Sequence, residues 1–211
     1  MESEACVKEK ILDMEEIEKN IQKNVVNYCK MLPGHVEKWK TLLGQVQKPA
    51  KALGNYSEQL RHVECANITY LENFTGIQET LKYRLYCEIE EELNLLKGII
   101  DQLNKSVQDL KNKLSLLERC TLDLNWESNS QLIKGSPIQP PLSLILDKGY
   151  EFCLYFSKAM KVINERLKNI NVRDEDCMKQ FEESFNVSLE EDCVRKCLAI
   201  VQYINNEKNL T

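Results

Sequence analysis

The chain has 211 residues, with 28 lysines and arginines against 33 aspartates and glutamates for a net charge of −5, and only seven glycines and five prolines. That length suits one sizeable core or one elongated bundle, and so few turn-forming residues exclude an all-β or doubly wound fold. The acidic balance argues against a protein whose main task is to coat nucleic acid, no apolar run reaches membrane-spanning length, and the charged start MESEACVKEK is no signal peptide, so cytoplasm and nucleus are the expected compartments.

The first segment, residues 2–32, carries Val7, Ile11, Met14, Ile17, Ile21, Val25 and Tyr28 at three-four spacing, with Glu and Lys between them. Pro33 and Gly34 mark a helix break, after which the next helix is expected to fold back antiparallel. That second segment, 35–65, carries Val36, Trp39, Leu43, Val46, Ala50, Leu53 and Leu60, with a kink expected near 45–49 because Pro49 lacks a backbone donor. Trp39 reads either as a core anchor or as an exposed partner-binding aromatic. Residues 66–75 are a connection in which Tyr70, Leu71 and Phe74 are expected to pack down. Thr75 and Gln78 then have the spacing of a capping box.

The long helix expected at 76–122 is the organising element. Its apolar positions run Ile77, Leu81, Leu85, Ile89, Leu93, Leu96, Ile100, Leu103, Val107, Leu110, Leu114 and Leu117. The steps are all four up to Leu93 and alternate between three and four beyond it, which is a heptad seam. At 1.5 Å per residue such a helix is about 70 Å long, so other helices must lie along it. Leu103, Val107, Leu110 and Leu114 either pair with a partner helix or pack against this chain's own helices.

Residues 123–142 are rich in Asn, Ser, Gly and Pro and read as a linker with little reason to pack, with Trp126, Leu132, Ile133 and Ile138 as candidate docking points. A fourth helix is expected from about 142 to 170. Ile145, Gly149, Phe152, Phe156, Met160, Ile163 and Leu167 form one face, and Leu142, Leu146, Tyr150, Leu154 and Tyr155 widen it. A short helix is expected over 176–185. Ser188 and Glu191 form a second capping box, opening a last helix with Cys193, Cys197, Ile200, Val201 and Ile204. Followed by Glu190, Glu191 and Asp192, Ser188 also fits the pattern of an acidophilic kinase site.

The fold class expected is therefore all-α: an elongated antiparallel helical bundle with coiled-coil character around one long helix. Its expected parts are an N-terminal helical block (1–122), a linker (123–142) and a C-terminal helical segment (143–211).

No residue pattern carries catalysis. His35 and His62 lack the surroundings of a nucleophile, a base or a metal ligand, and there is no glycine-rich phosphate loop. Glu90 to Glu92 and Glu190 to Asp192 read as solvated faces or helix-dipole compensation. Nine scattered cysteines read as buried thiols in a reducing compartment. Cys193 and Cys197 are one turn apart but have no Cys-x-x-Cys or histidine beside them, so neither a metal nor a cofactor is expected. Six Asn-x-Ser/Thr sequons read as chance matches, and Asn104 lies inside the long helix, where a glycan would be awkward.

The order of features nonetheless resembles a known family. Trp39 lies early in a helix, with Pro49 ten residues later. Leu53-Gly-Asn-Tyr-Ser-Glu-Gln-Leu60 is similar to a Leu-x-Asn-Leu-x-Glu-Gln-Leu run, and Leu71 to Phe74 lead into the long helix. A proline-containing linker precedes an aromatic-rich helix with Phe152, Tyr155 and Phe156, and Phe185, an acidic stretch and an apolar final helix close the chain. This resembles the casein kinase 2 substrate family, the AIRIM ribosome maturation factors. The fourth helix departs from the family pattern in lacking its Trp-Leu and Arg-Lys pairs. The resemblance implies a non-catalytic adaptor that links AAA ATPases to large-subunit preribosomes. It would act with a second small helical subunit, a cyclin-dependent-kinase-interacting protein, and without direct nucleic-acid or membrane contact. The alternative is a helical scaffold subunit of a kinetochore or vesicle-tethering assembly.

Overall fold

A computed structural model describes residues 4–66, 75–137 and 139–205, the side chains of residues 4–13, 75, 203 and 205 excepted. Tyr70, Leu71, Phe74 and Ile138 lie outside the described residues. The fold is all-α: α1 (Glu4–Cys65), α2 (Thr75–Cys120), α3 (Gln131–Lys134), α4 (Leu142–Lys168), α5 (Glu175–Glu183) and α6 (Asp192–Asn205), with no strand among the described residues.

The expected break at Pro33-Gly34 does not form, because α1 continues through both residues and through Pro49 for 62 residues. The physical reason lies in the phase of its buried positions. Ile21, Val25, Tyr28, Leu32, His35, Trp39, Leu42, Val46, Pro49, Leu53, Ser57 and Leu60 are all buried, at steps of three and four throughout. A loop at 33–34 would shift that phase; here it is unchanged. Pro33 and Gly34 are exposed, so the break signals sit on the solvent side of a stripe that packing holds together. Two of the stripe positions are polar, and each makes a buried hydrogen bond. The Ser57 hydroxyl donates to the Leu53 carbonyl at 2.7 Å, and His35 Nδ1 lies 3.0 Å from the Ser106 hydroxyl.

Two compact units make up the chain, and each takes part of α1, α2 and α4. The first comprises Met1–Glu37, Ser106–Phe156 and Leu189–Thr211. Within it α2 runs antiparallel to α1, since Asn24 meets Cys120 and His35 meets Ser106. α4 runs parallel to α1: Tyr28 donates to the Gly149 carbonyl at 3.1 Å, and the His35 ring stands edge-on to Phe156 at 4.6 Å. Gly149 permits the close approach of these two helices, because a Cβ there would lie 2.9 Å from the Tyr28 hydroxyl oxygen. Burial pushes Cys29 and Cys197, packed beside Tyr28, up to about 12 and holds Tyr28 itself far above the ordinary tyrosine range. The face expected to widen α4 is covered in part: Leu142 is buried, whereas Tyr150 and Leu154 are exposed. The Ser188–Glu191 box does not open α6. Residues 189–190 form a turn, and the Glu191 carbonyl accepts from Arg195 N–H at 2.9 Å as the helix begins.

The second unit comprises Lys38–Lys105 and Ser157–Ser188. Here too α2 folds back along α1. The Gln78 side chain does not serve a capping box at Thr75; its amide donates instead to the carbonyls of Val63 and Ala66 at the end of α1. The 169–174 turn is latched by Arg173, which grips both Glu64 carboxylate oxygens and reaches the Tyr86 hydroxyl at 2.6 Å. Hydrogen bonding from Arg173 holds the Glu64 carboxyl below the usual carboxylate range. α5 buries Met178 and Phe181, and its N-cap Asp174 accepts from Cys177 N–H. The Asn104 and Asn164 side chains exchange amide hydrogen bonds.

Three outcomes follow from this packing. Gly149→Ala should destabilise the protein by about 1–3 kcal/mol, because Tyr28 must move; an unchanged urea midpoint would refute the close approach. Leu110→Asp places a carboxylate at a position with no exposed surface and should abolish the helical circular dichroism of the isolated chain. A folded variant would show that this position is not core. The thiols of Cys29 and Cys197 have folded values raised above about 8.5 in the unfolded chain, so the folded state holds their protons longer. Their contribution is complete below about pH 8.5 and is lost as pH rises toward 12. Melting temperature should fall across that window, and less steeply in a Cys29→Val/Cys197→Val variant; equal slopes would remove the thiols as its cause.

Candidate interaction surface

The sequence singles out Leu103, Val107, Leu110, Leu114 and Trp39 as candidate partner contacts. All five are buried within the chain, with Leu103, Leu110 and Trp39 fully so. The seam on α2 is covered by the chain's own packing in this conformation. Ser188 lies in a non-helical stretch between α5 and α6 and is exposed, as are Glu190, Glu191 and Asp192 after it. Asp192 is held by Lys196 at 2.6 Å, and that pairing keeps its carboxyl below the usual range. Among the described residues no group of three or more His, Cys, Asp or Glu side chains has metal-binding geometry. No helix is long and apolar enough to cross a membrane.

One surface that offers apolar side chains is the stretch after α2, in the first unit. Residues 123–142, expected to pack little, are tied down at four points: Leu124, Leu132, Gln139 and Leu142 are buried, as is Thr121 just before them. Thr121 caps the end of α2, its hydroxyl donating to the Glu118 carbonyl at 2.7 Å. Beyond buried Leu124, the Asn125 side chain accepts from Glu127 N–H at 3.1 Å, and the Asn125 carbonyl accepts from Ser128 N–H. This Asx turn presents Trp126, which is exposed together with Leu122 and Leu116. The turn's hydrogen bonds fix the backbone at this tryptophan, so little backbone freedom is lost on binding, which favours an anchor role.

The chain then forms one wall of a groove whose other wall is α1. One hollow of about 220 Å³ lies between Met14, Glu15 and Glu18 and the serines Ser128 and Ser130. A second of about 450 Å³ shares Glu15 and Glu18 and is floored by Gln22, Leu132 and Gln139. Gln22 and Gln139 face each other as a reciprocal amide pair, which fixes the turn at 136–139 to α1. That turn is closed by Ser136 N–H on the Gln139 carbonyl at 2.7 Å. Gly135 makes it possible: its φ of 84° is left-handed, and a Cβ there would stand 2.8 Å from Pro141 Cδ. The lining supplies carboxylates, amides, hydroxyls and apolar surface, with no imidazole or thiol.

The sequence names Trp126 as a docking point, and the structure places it on the surface. Leu132 is instead a buried anchor and Ile133 is half-buried. The groove is missed by sequence reasoning because its walls come from positions more than 100 residues apart. The signal that was present is local: Asn125 for the turn, and Gly135 followed by prolines for the second.

No curated protein matches the chain. A family match does extend over residues 19–202, which includes the buried stripe of α1, all of α2 and α4, and the Trp126 turn. The family described is CA109-like, ribosome biogenesis protein C1orf109-like. A match over most of the chain settles membership: this protein belongs to the C1orf109-like family of ribosome biogenesis proteins.

Proposed function

We propose that this ribosome biogenesis protein works as a non-catalytic adaptor, linking an AAA ATPase of the ribosome-maturation type to large-subunit preribosomal particles in the cytoplasm and nucleus. A second small helical subunit, a cyclin-dependent-kinase-interacting protein, acts beside it. The family assignment supports the pathway. The observation that carries the adaptor reading is the Trp126 turn. It is an exposed aromatic on a hydrogen-bonded turn, with exposed Leu122 and Leu116 near it in the chain. Holding one partner at Trp126 while the rest of the chain engages another is sufficient for tethering, which acts by raising effective concentration.

The test is affinity purification of the full chain and of Trp126→Ala from cells, with identification of bound proteins. The parent chain should recover an AAA ATPase together with large-subunit assembly factors. Truncating an anchor tryptophan should cost about 2 kcal/mol, roughly thirtyfold in affinity, and deplete one partner class while the variant keeps its melting temperature. Recovery of kinetochore or tethering subunits in place of the ATPase would overturn the reading. Full recovery with Trp126→Ala would remove this turn as the docking point.

A further inference from the structure

A second stripe runs along the first half of α2, about a quarter-turn away from the buried one. It is Ile77, Leu81, Arg84, Glu88, Glu91 and Leu95, at steps of four, three, four, three and four, which is heptad spacing. The apolar members are strongly exposed: Ile77 by 59%, Leu81 by 41% and Leu95 by 59%. Arg84 and Glu91 are exposed and Glu88 is half-buried. Among the described residues none of these three charges makes an ion pair, although Arg84 and Glu88 are one turn apart on the same helix. Glu88 accepts a hydrogen bond from the Tyr56 hydroxyl of α1, so the stripe carries apolar ends and a charged middle that has no ion pair of its own.

We propose that the partner for this stripe is a second copy of the same chain, packed antiparallel about a two-fold axis near residue 86. In that register Ile77 faces Leu95 of the partner and Arg84 faces the partner's Glu88. Leu81 lies along the methylenes of the partner's Glu91. Symmetry repeats each pair, so one interface satisfies two arginines and two glutamates and covers six exposed apolar side chains, three from each copy. The contact spans about 27 Å of helix. Alternatives are worse on charge. A parallel pair sets Arg84 on Arg84 and Glu88 on Glu88. Shifting the antiparallel register by one heptad sets Glu88 on Glu91 and leaves Arg84 against Leu95. Like charges in opposed positions are repulsive, so the stripe specifies one pairing and selects against the others.

Sedimentation equilibrium of the purified full chain under reducing conditions tests this over about 1–200 µM, the range of a modest interface. The mass should rise with concentration toward twice that of the monomer. Arg84→Glu and Glu88→Arg each oppose like charges and should weaken the dimer about tenfold or more. The double variant Arg84→Glu/Glu88→Arg restores opposite charges and should return the affinity to within about threefold of the parent. Circular dichroism should show the helix retained in all three, since Arg84 is exposed and the half-buried Glu88 gives up only its hydrogen bond from Tyr56. A chain that stays monomeric throughout overturns the proposal. So does a dimer that the single variants leave intact, or one that they weaken and the double variant fails to rescue.

Discussion

The fold depends on α1 keeping one helical phase through Pro33 and Gly34. A proline inside a helix removes a backbone donor, here the one that would reach the Cys29 carbonyl, and costs about 3 kcal/mol, with about 1 more for the adjacent glycine. Against this stand Tyr28, Cys29 and Leu32 before the pair and His35, Trp39 and Leu42 after it, all buried. Burying a single large apolar side chain is worth about 1.5–3 kcal/mol, so two or three of them offset the penalty. A loop would move the whole later stripe out of register with α2. Packing decides, and the helix stays whole.

The same uninterrupted stripe sets what α2 has left to offer. α1 brings His35 to Ser106 and Tyr28 to Gly149, and these polar contacts fix the depth at which α2 and α4 sit in the first unit. Leu103, Val107, Leu110 and Leu114 are buried by the chain's own packing. The exposed apolar residues lie elsewhere: at the Trp126 turn in the first unit, and on the first half of α2 in the second. A protein that assembles with others through such surfaces needs a rigid interior and a few well-positioned anchors, and the two kinds of residue are kept on separate faces.

Residues 121–141 show how few anchors an irregular segment needs. Its composition is that of a linker, yet Leu124, Leu132 and Gln139 are buried, and two turns are closed by an asparagine side chain and a left-handed glycine. Composition averages over a window, so it reports the polar majority and overlooks the residues that set the path. Side chains such as Gln22 and Gln139 cannot be paired from sequence spacing, because nothing local links positions on different helices.

The sequence by itself determined the helical class, the apolar phase of α2 from Leu85 onward, the main face of α4, the α5 helix and the family likeness. Each of these rests on spacing along one helix or on residue order, which local geometry reads directly. Only the tertiary structure decided that Pro33-Gly34 is not a turn, because that depends on what lies against both sides of the pair. The polar letters His35 and Ser57 also hid the stripe's continuity until their hydrogen-bond partners were known. The tertiary structure likewise decided which of two apolar stripes on α2 is core. Both have heptad spacing, and the choice follows from the larger apolar area that Leu85 to Leu117 bury against the rest of the chain.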